Sequence, residues 1–238
     1  MWVHRSGEFY QERPVVIYEY QKDRDHQKPL EFYRDYKGIL VTDGLQQYHL
    51  VDKKLPDVTN ANCWAHARRD FADAVKAMDK KAPSVVRESI AYQALQKIAE
   101  FYNADTELKG LPCEERLQKR QEIIQPMVED FFAWVKEQLS QCTVPPKSKT
   151  GQGLQYLVNQ ELYLKVFLTD GDVPIDNSAS ERSIRTFCIG KKNWMFHNTA
   201  NGASANAMVY SISETAKLNS LRPYYYFRHI LTELRKRC

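Results

Sequence analysis

Asp43 stands directly after the apolar run Ile39-Leu40-Val41-Thr42 and before Gly44. A carboxylate at the end of a buried strand can meet a ligand at the carboxyl edge of an open α/β sheet, and its hard oxygens suit Mg²⁺. The same Asp-Gly pair also makes an ordinary turn. A second acid lies in Asp176-Asn177-Ser178-Ala179-Ser180-Glu181-Arg182. Glu181 can close a capping box with Ser178, or share a metal with Asp43. Arg182 and Arg185 fall on one helix face, and guanidinium groups beside a metal-binding carboxylate suit a phosphodiester. Lys191-Lys192-Asn193-Trp194 adds cations for phosphate and an aromatic ring for a base, although Trp194 equally suits a core position. In Cys63-Trp64-Ala65-His66-Ala67-Arg68-Arg69 the Cys-x-x-His spacing has the look of metal ligation, but no second pair completes a zinc site. Cys63 and Trp64 read as core. His66, Arg68 and Arg69 read either as contacts to DNA or a scissile phosphate, or as surface charges on a helix.

The elements that must position these groups follow from periodicity and punctuation. Pro14 to Tyr20 is β-branched and aromatic and predicts a strand, as does Ile39–Val41. Lys28–Tyr36 predicts a short amphipathic helix ended by Gly38. Thr59–Trp64 predicts a further strand. From Ala65 to about residue 140 the pattern is helical, with one stripe over Ile90, Leu95, Ile98, Phe101 and Tyr102 and another over Ile123, Ile124, Met127, Val128, Phe131, Phe132 and Val135. Pro83, Gly110-Leu111-Pro112 and Pro145-Pro146 divide that block. A helix through Leu154–Leu168 runs to a turn at Thr169-Asp170-Gly171-Asp172. Asn177 or Ser178 caps a helix carrying Glu181, and Gly190 closes it. Helices over 203–219 and from Pro223 complete the chain.

The chain has 238 residues, a length for one large domain or two small ones, and its 43% hydrophobic and 27% charged composition excludes a disordered or fibrous protein. Charged residues interrupt every apolar run well short of the roughly 20 residues of a membrane helix, and the first residues lack a signal-peptide core. Five cysteines, an odd number with no CxxC pair, read as reduced thiols in a cytosolic protein without structural zinc. The net charge of +4 is unevenly spread. Residues 178–238 hold ten basic side chains against three acidic ones, while the preceding part is slightly acidic. That asymmetry suggests a polyanion partner, or a solvated helix face.

Together these segments resemble the transposases of insertion sequence 66, a family of bacterial mobile elements. The resemblance is carried by Gly38 to Gly44 with Tyr48, by Cys63 to Arg69 with Phe71, and by Ile175-Asp176-Asn177 through Glu181-Arg182 with Ile184-Arg185. Gly190 to Trp194, Tyr210-Ser211 through Glu214 to Lys217, and Leu221 to Leu234 continue it over nearly the whole chain. It implies an α/β fold: an RNase H-like catalytic core in residues 1–75 and 150–200, an all-helical insertion at 76–149, and a C-terminal helical segment at 201–238. It further implies an Asp-Asp-Glu metal site in which Asp43 is the second acid and Glu181 the third, holding Mg²⁺ or Mn²⁺, two ions in the intact enzyme.

The family's first catalytic Asp lies on the strand before the segment that begins here as Met1-Trp2-Val3. The first central strand and the N-terminal DNA-binding region are therefore expected to be missing. Asp23, Asp25 and Asp35 fall on a loop or helix and do not replace that Asp. The function implied is a DNA transposase fragment, performing metal-dependent strand cleavage and strand transfer at insertion-sequence ends. The alternatives are a catalytically inactive DNA-binding or inhibitory transposase remnant, and a different RNase H-like nuclease such as a junction resolvase. Whether the chain alone is an enzyme stays open. Expected partners are DNA, as transposon ends and target, and a second copy or a full-length transposase, with no membrane. The expected location is the bacterial cytoplasm, at the nucleoid.

Overall fold

A computed structural model describes residues 1–23, 25, 27–79, 81–194 and 197–237, with the side chains of Trp194 and Arg237 outside the description. The stacking role expected of Trp194 therefore lies outside the described residues. The fold is a mixture of helix and sheet in which helix dominates. In chain order the elements are β1 (Trp2–Arg5), β2 (Val16–Glu19), α1 (Gln27–Phe32), β3 (Gly38–Thr42), α2 (Gln46–Lys54), β4 (Val58–Asn62), α3 (Trp64–Ala67), α4 (Arg69–Ala77) and α5 (Pro83–Glu88). There follow α6 (Ile90–Glu107), α7 (Cys113–Lys119), α8 (Gln125–Ser140), α9 (Lys149–Leu164), α10 (Ser178–Trp194), α11 (Ala200–Leu218) and α12 (Pro223–Arg237). The chain divides into two compact units, Met1–Asp25 with Ser178–Cys238, and His26–Asn177.

In the central unit β3 and β4 pair in parallel, Gly38 opposite Val58 through Thr42 opposite Asn62. Parallel strands need a crossover, and α2 supplies it. No strong local signal marks α2: Gln46-Gln47-Tyr48-His49 opens it without a side-chain cap, and only Val51 is fully buried. The helical block supplies the core. Trp64, Phe71, Phe101, Phe131 and Phe132 are buried together, and the Trp64 and Phe101 rings meet edge to face at 4.7 Å. The Trp64 indole N–H donates to the Leu164 carbonyl at 2.8 Å, so the ring is buried without an unsatisfied donor. Both predicted apolar stripes point inward at Ile98, Phe101, Ile124, Val128, Phe131, Phe132 and Val135, whereas Ile123 is exposed.

A buried ion pair ties the later loop to this core. Arg120 donates through Nε to Asp105 at 2.7 Å and through Nη1 to the carbonyls of Phe167, Asp170 and Val173 at 3.0, 3.1 and 2.7 Å.

In the terminal unit β1 and β2 form an antiparallel pair, Trp2 opposite Glu19 through Arg5 opposite Val16. The outer edge of β2 is closed by a helix instead of a third strand. Ser211, Thr215 and Asn219, four residues apart on and just beyond α11, meet Tyr18, Val16 and Pro14 in turn. The Tyr18 and Val16 N–H groups donate to the Ser211 and Thr215 hydroxyls at 2.8 and 3.1 Å, and Asn219 donates to the Pro14 carbonyl at 2.8 Å. Hydroxyls at helical spacing thus satisfy a strand edge that would otherwise invite another chain.

Several boundaries differ from the sequence expectation. The helix expected over Lys28–Tyr36 ends at Phe32, because Tyr33 turns into the core and Tyr36 donates its hydroxyl to the Ile39 carbonyl at 3.1 Å. The strand expected over Thr59–Trp64 stops at Asn62, and Trp64 opens α3. The helix expected to reach Leu168 ends at Leu164, with a short 3₁₀ turn over Val166–Leu168. Gly190 does not close its helix: α10 continues to Trp194, and no left-handed backbone occurs at Gly190 to cap it.

Candidate functional site

Asp43 follows the last residue of β3, at the carboxyl end of the parallel pair. Its half-buried carboxylate accepts the Leu45 N–H through Oδ1 at 3.1 Å, and no Lys or Arg pairs with it among the described residues. Gly44 carries the turn with φ of 80°, and a side chain there would strike the Tyr156 hydroxyl.

Next to Asp43 in the chain begins a row of polar side chains, Thr42, Asn60 and Asn62 buried and Gln160 half-buried, that sequence reasoning missed. Thr42 donates its hydroxyl to Asn60, Asn60 donates to Asn62, and Asn62 donates to Gln160, each at 2.9 Å. The Thr42 hydroxyl also receives the Gly44 N–H at 3.2 Å. Buried amides are tolerated because each is paired, and the row fixes the strand ends that carry Asp43. A strand over Thr59–Trp64 was expected from the sequence. The row was not, because its last link spans 98 positions.

Two tyrosines sense the Asp43 charge. Burial, with Asp43 adding to it, pushes the Tyr48 phenol well above its ordinary range. Tyr156 is pushed up to about 12 by burial, then by the charges of Cys63 and Asp43, with Arg69 opposing. Both hydroxyls therefore stay protonated and able to donate near neutral pH.

Cys63 and Trp64 are fully buried, as their motif predicted. Burial pushes the Cys63 thiol up to about 11. The Cys63 N–H donates to the Thr42 carbonyl at 3.0 Å, and its sulfur accepts the Asn177 N–H at 3.2 Å. Asp176 accepts the Tyr102 hydroxyl at 3.3 Å. Residues 175–177 are thereby held against the end of β4, beside the strand that leads to Asp43. Of the remaining motif, His66 is half-buried, and Arg68 and Arg69 are exposed where α3 gives way to α4.

Glu181 lies in the first turn of α10, where the helix dipole favours a carboxylate, and it belongs to the terminal unit whereas Asp43 belongs to the central one. Arg182 is exposed but paired, donating to Glu8 at 2.9 Å. Arg185, Lys191 and Lys192 are exposed and make no ion pair among the described residues. The inner face of α10 is anchored by Tyr18, whose hydroxyl donates to the Ser183 carbonyl at 2.6 Å, and by Arg5, which donates to the Ala179 carbonyl at 3.1 Å.

A metal-like grouping also occurs elsewhere. Cys113, Asp170 and Asp172 bring ligand atoms within 4.8 Å of one another. Arg116 already pairs with Asp172 at 3.2 Å and donates to the Gly171 carbonyl at 2.7 Å. Burial and then Asp172 raise the Cys113 thiol. A protonated thiol and an arginine in the ligand shell do not suit a hard cation.

The described residues thus present an acid at a strand end, an acid at a helix start and a basic helix surface. A sequence profile described as the Transposase IS66 family matches residues 1–205, and the chain belongs to that family. It is similar to three uncharacterized proteins of Sinorhizobium fredii (strain NBRC 101917 / NGR234). It is 30% identical to y4hP over 228 residues, covering 93% of this chain and 41% of that protein. It is 28% identical to y4qI over 227 residues, and 26% identical to y4jD over 226, covering 40% and 42% of those proteins and 93% of this chain each time. The chain thus spans about two fifths of the length of these relatives. No solved structure matches it. No described helix is long and apolar enough to cross a membrane.

Proposed function

We propose that this chain carries part of the catalytic centre of a DNA transposase acting at insertion-sequence ends in the bacterial cytoplasm. The observation that carries the proposal is Asp43: a half-buried carboxylate at the end of a parallel strand, braced by a buried amide row and unpaired with any cation among the described residues. Family membership supports transposition as the process.

In this reading residues 1–75 and 150–200 belong to an RNase H-like core, 76–149 are an insertion and 201–238 a C-terminal segment. Asp43 and Glu181 would hold Mg²⁺ or Mn²⁺. When bound, such ions lower the pKa of an attacking hydroxyl and stabilise the leaving oxygen of a phosphodiester. The chain's own residues bind and orient. Arg185, Lys191 and Lys192 offer unpaired charge to DNA phosphates, and Arg182 joins them on exchanging Glu8 for phosphate. His66, Arg68 and Arg69 are further phosphate contacts beside the end of β4. Trp194 is a candidate for stacking on a base. Thr42, Asn60, Asn62 and Gln160 keep Asp43 in place.

Two steps follow. In the first, water adds to the phosphodiester at the element end, freeing a 3′-hydroxyl and leaving a 5′-phosphate. In the second, that 3′-hydroxyl attacks a target phosphodiester and expels a target 3′-oxygen, so one ester forms as one breaks. The test is nicking of labelled element-end DNA with Mn²⁺. Asp43→Ala and Glu181→Ala are each expected to abolish it, and cleavage that survives both would remove these residues from the chemistry.

A further inference from the structure

We infer that the outward face of α12 is a second DNA-contacting surface, separate from the Asp43 and Glu181 chemistry and resting on the DNA-handling reading above. All of α12 and most of α11 lie beyond the residues that define the family match, which ends at 205. The helix α12 packs on α11; Tyr226, Phe227 and Ile230 are half-buried, and among the described side chains of α12 none is fully buried. On the flank beside them Tyr224 is 71% and Leu231 65% exposed.

Helical spacing sets Arg228 beside Tyr224 and Leu231, and Arg235 one further turn along. Arg228 and Arg235 lie about 10 Å apart along the axis. The Arg228 guanidinium rests on the Tyr225 ring at 5.1 Å, and Tyr225 meets Tyr224 edge to face at 5.3 Å. Stacking uses the face of a guanidinium and leaves its in-plane donors for a phosphate, with the side chain already ordered. The one acid of the helix, Glu233, is engaged by Lys236 at 2.7 Å. Arg222, Arg228 and Arg235 have no acidic partner among the described residues.

Charge selects the occupant. A second copy seated on this face through the same stripe would bring Arg228 and Arg235 against their own equivalents, whereas a DNA backbone supplies the missing negative charge and the tyrosines can flank it.

The test is fluorescence anisotropy of the whole chain with a labelled duplex oligonucleotide, in EDTA, as a function of salt. Arg228→Gln with Arg235→Gln is expected to weaken binding several-fold and to make the slope of log affinity against log salt shallower by about 2. Arg228→Lys with Arg235→Lys, which keeps the charge, is expected to retain the slope. Arg87→Gln with Lys109→Gln removes equal charge from the central unit and is expected to leave it unchanged. Equal loss in this control pair, an unchanged slope in the α12 pair, or no binding by the parent chain would overturn the inference. So would a dimer, seen by light scattering, that Tyr224→Ser with Leu231→Ser dissolves without affecting DNA. Because metal is absent, failure of metal-dependent nicking leaves this result standing, and failure here leaves nicking to be judged separately.

Discussion

The backbone N–H of Asn177 donates to the thiol of Cys63 at 3.2 Å. With the Cys63 N–H on the Thr42 carbonyl, this single buried residue joins the strand end preceding Asp43 to Asn177, the last residue of the central unit. Cys63 is therefore a structural tie between these two segments. Removing its sulfur leaves the half-buried Asn177 N–H without this acceptor and opens a small void. Cys63→Ala is expected to destabilise the chain by about 1–3 kcal/mol, measured by urea denaturation. An unchanged midpoint would show that the contact carries no stability.

The same thiol gives a chemical signature. Burial raises it to about 11, so at mildly alkaline pH almost none is thiolate. In the folded chain Cys142 and Cys188, both exposed, are expected to alkylate with iodoacetamide while Cys63 stays protected until denaturant is added. Mass spectrometry of the labelled peptides reads this directly, and early labelling of Cys63 would place it outside the core.

Asp105 and Arg120 form a pair with side chains 2% and 0% exposed. Asp105→Ala strands a buried guanidinium, and the expected cost is about 3–5 kcal/mol. Arg120→Met removes the charge but also the contacts to the carbonyls of Phe167, Asp170, Gly171 and Val173, so the loop at 167–173 is expected to become protease-sensitive. Limited proteolysis checks the loop, and a melting temperature unchanged in both variants would contradict the assignment.

Much of this was legible in residue order, and the rest was not for physical reasons. Ile39–Val41 could only be a strand, because three large apolar residues sit between a glycine and an Asp-Gly turn. Glu181 fell in a first helical turn because Asn177 and Ser178 are good starts. The helix α2 escaped because its sequence is polar and its start uncapped, its stability coming from packing against β4. Gly190 misled because glycine stops a helix only when it turns left-handed, and here it stays helical. The amide row and the Cys63–Asn177 bond join residues 98 and 114 positions apart and leave no local pattern.

His4 makes stability depend on pH. It is buried with Nε2 3.4 Å from Glu19, and burial lowers its pKa below the ordinary 6.5 more than Glu19 raises it. The unfolded chain therefore takes up this proton at a higher pH than the folded one. The contribution is full above about 6.5 and is lost as pH falls from there through the lowered folded value. Urea midpoints are expected to drop on acidification through that window and to drop less in His4→Gln. Equal pH dependence in both proteins would contradict this.

The most direct measurement is Mn²⁺ binding followed by electron paramagnetic resonance in the parent chain, Asp43→Asn, Glu181→Gln and the double variant. If the two carboxylates share an ion, each single change weakens the same binding event and the double change weakens it no further than the stronger single. Binding that ignores either acid, or losses that simply add, would contradict a common site.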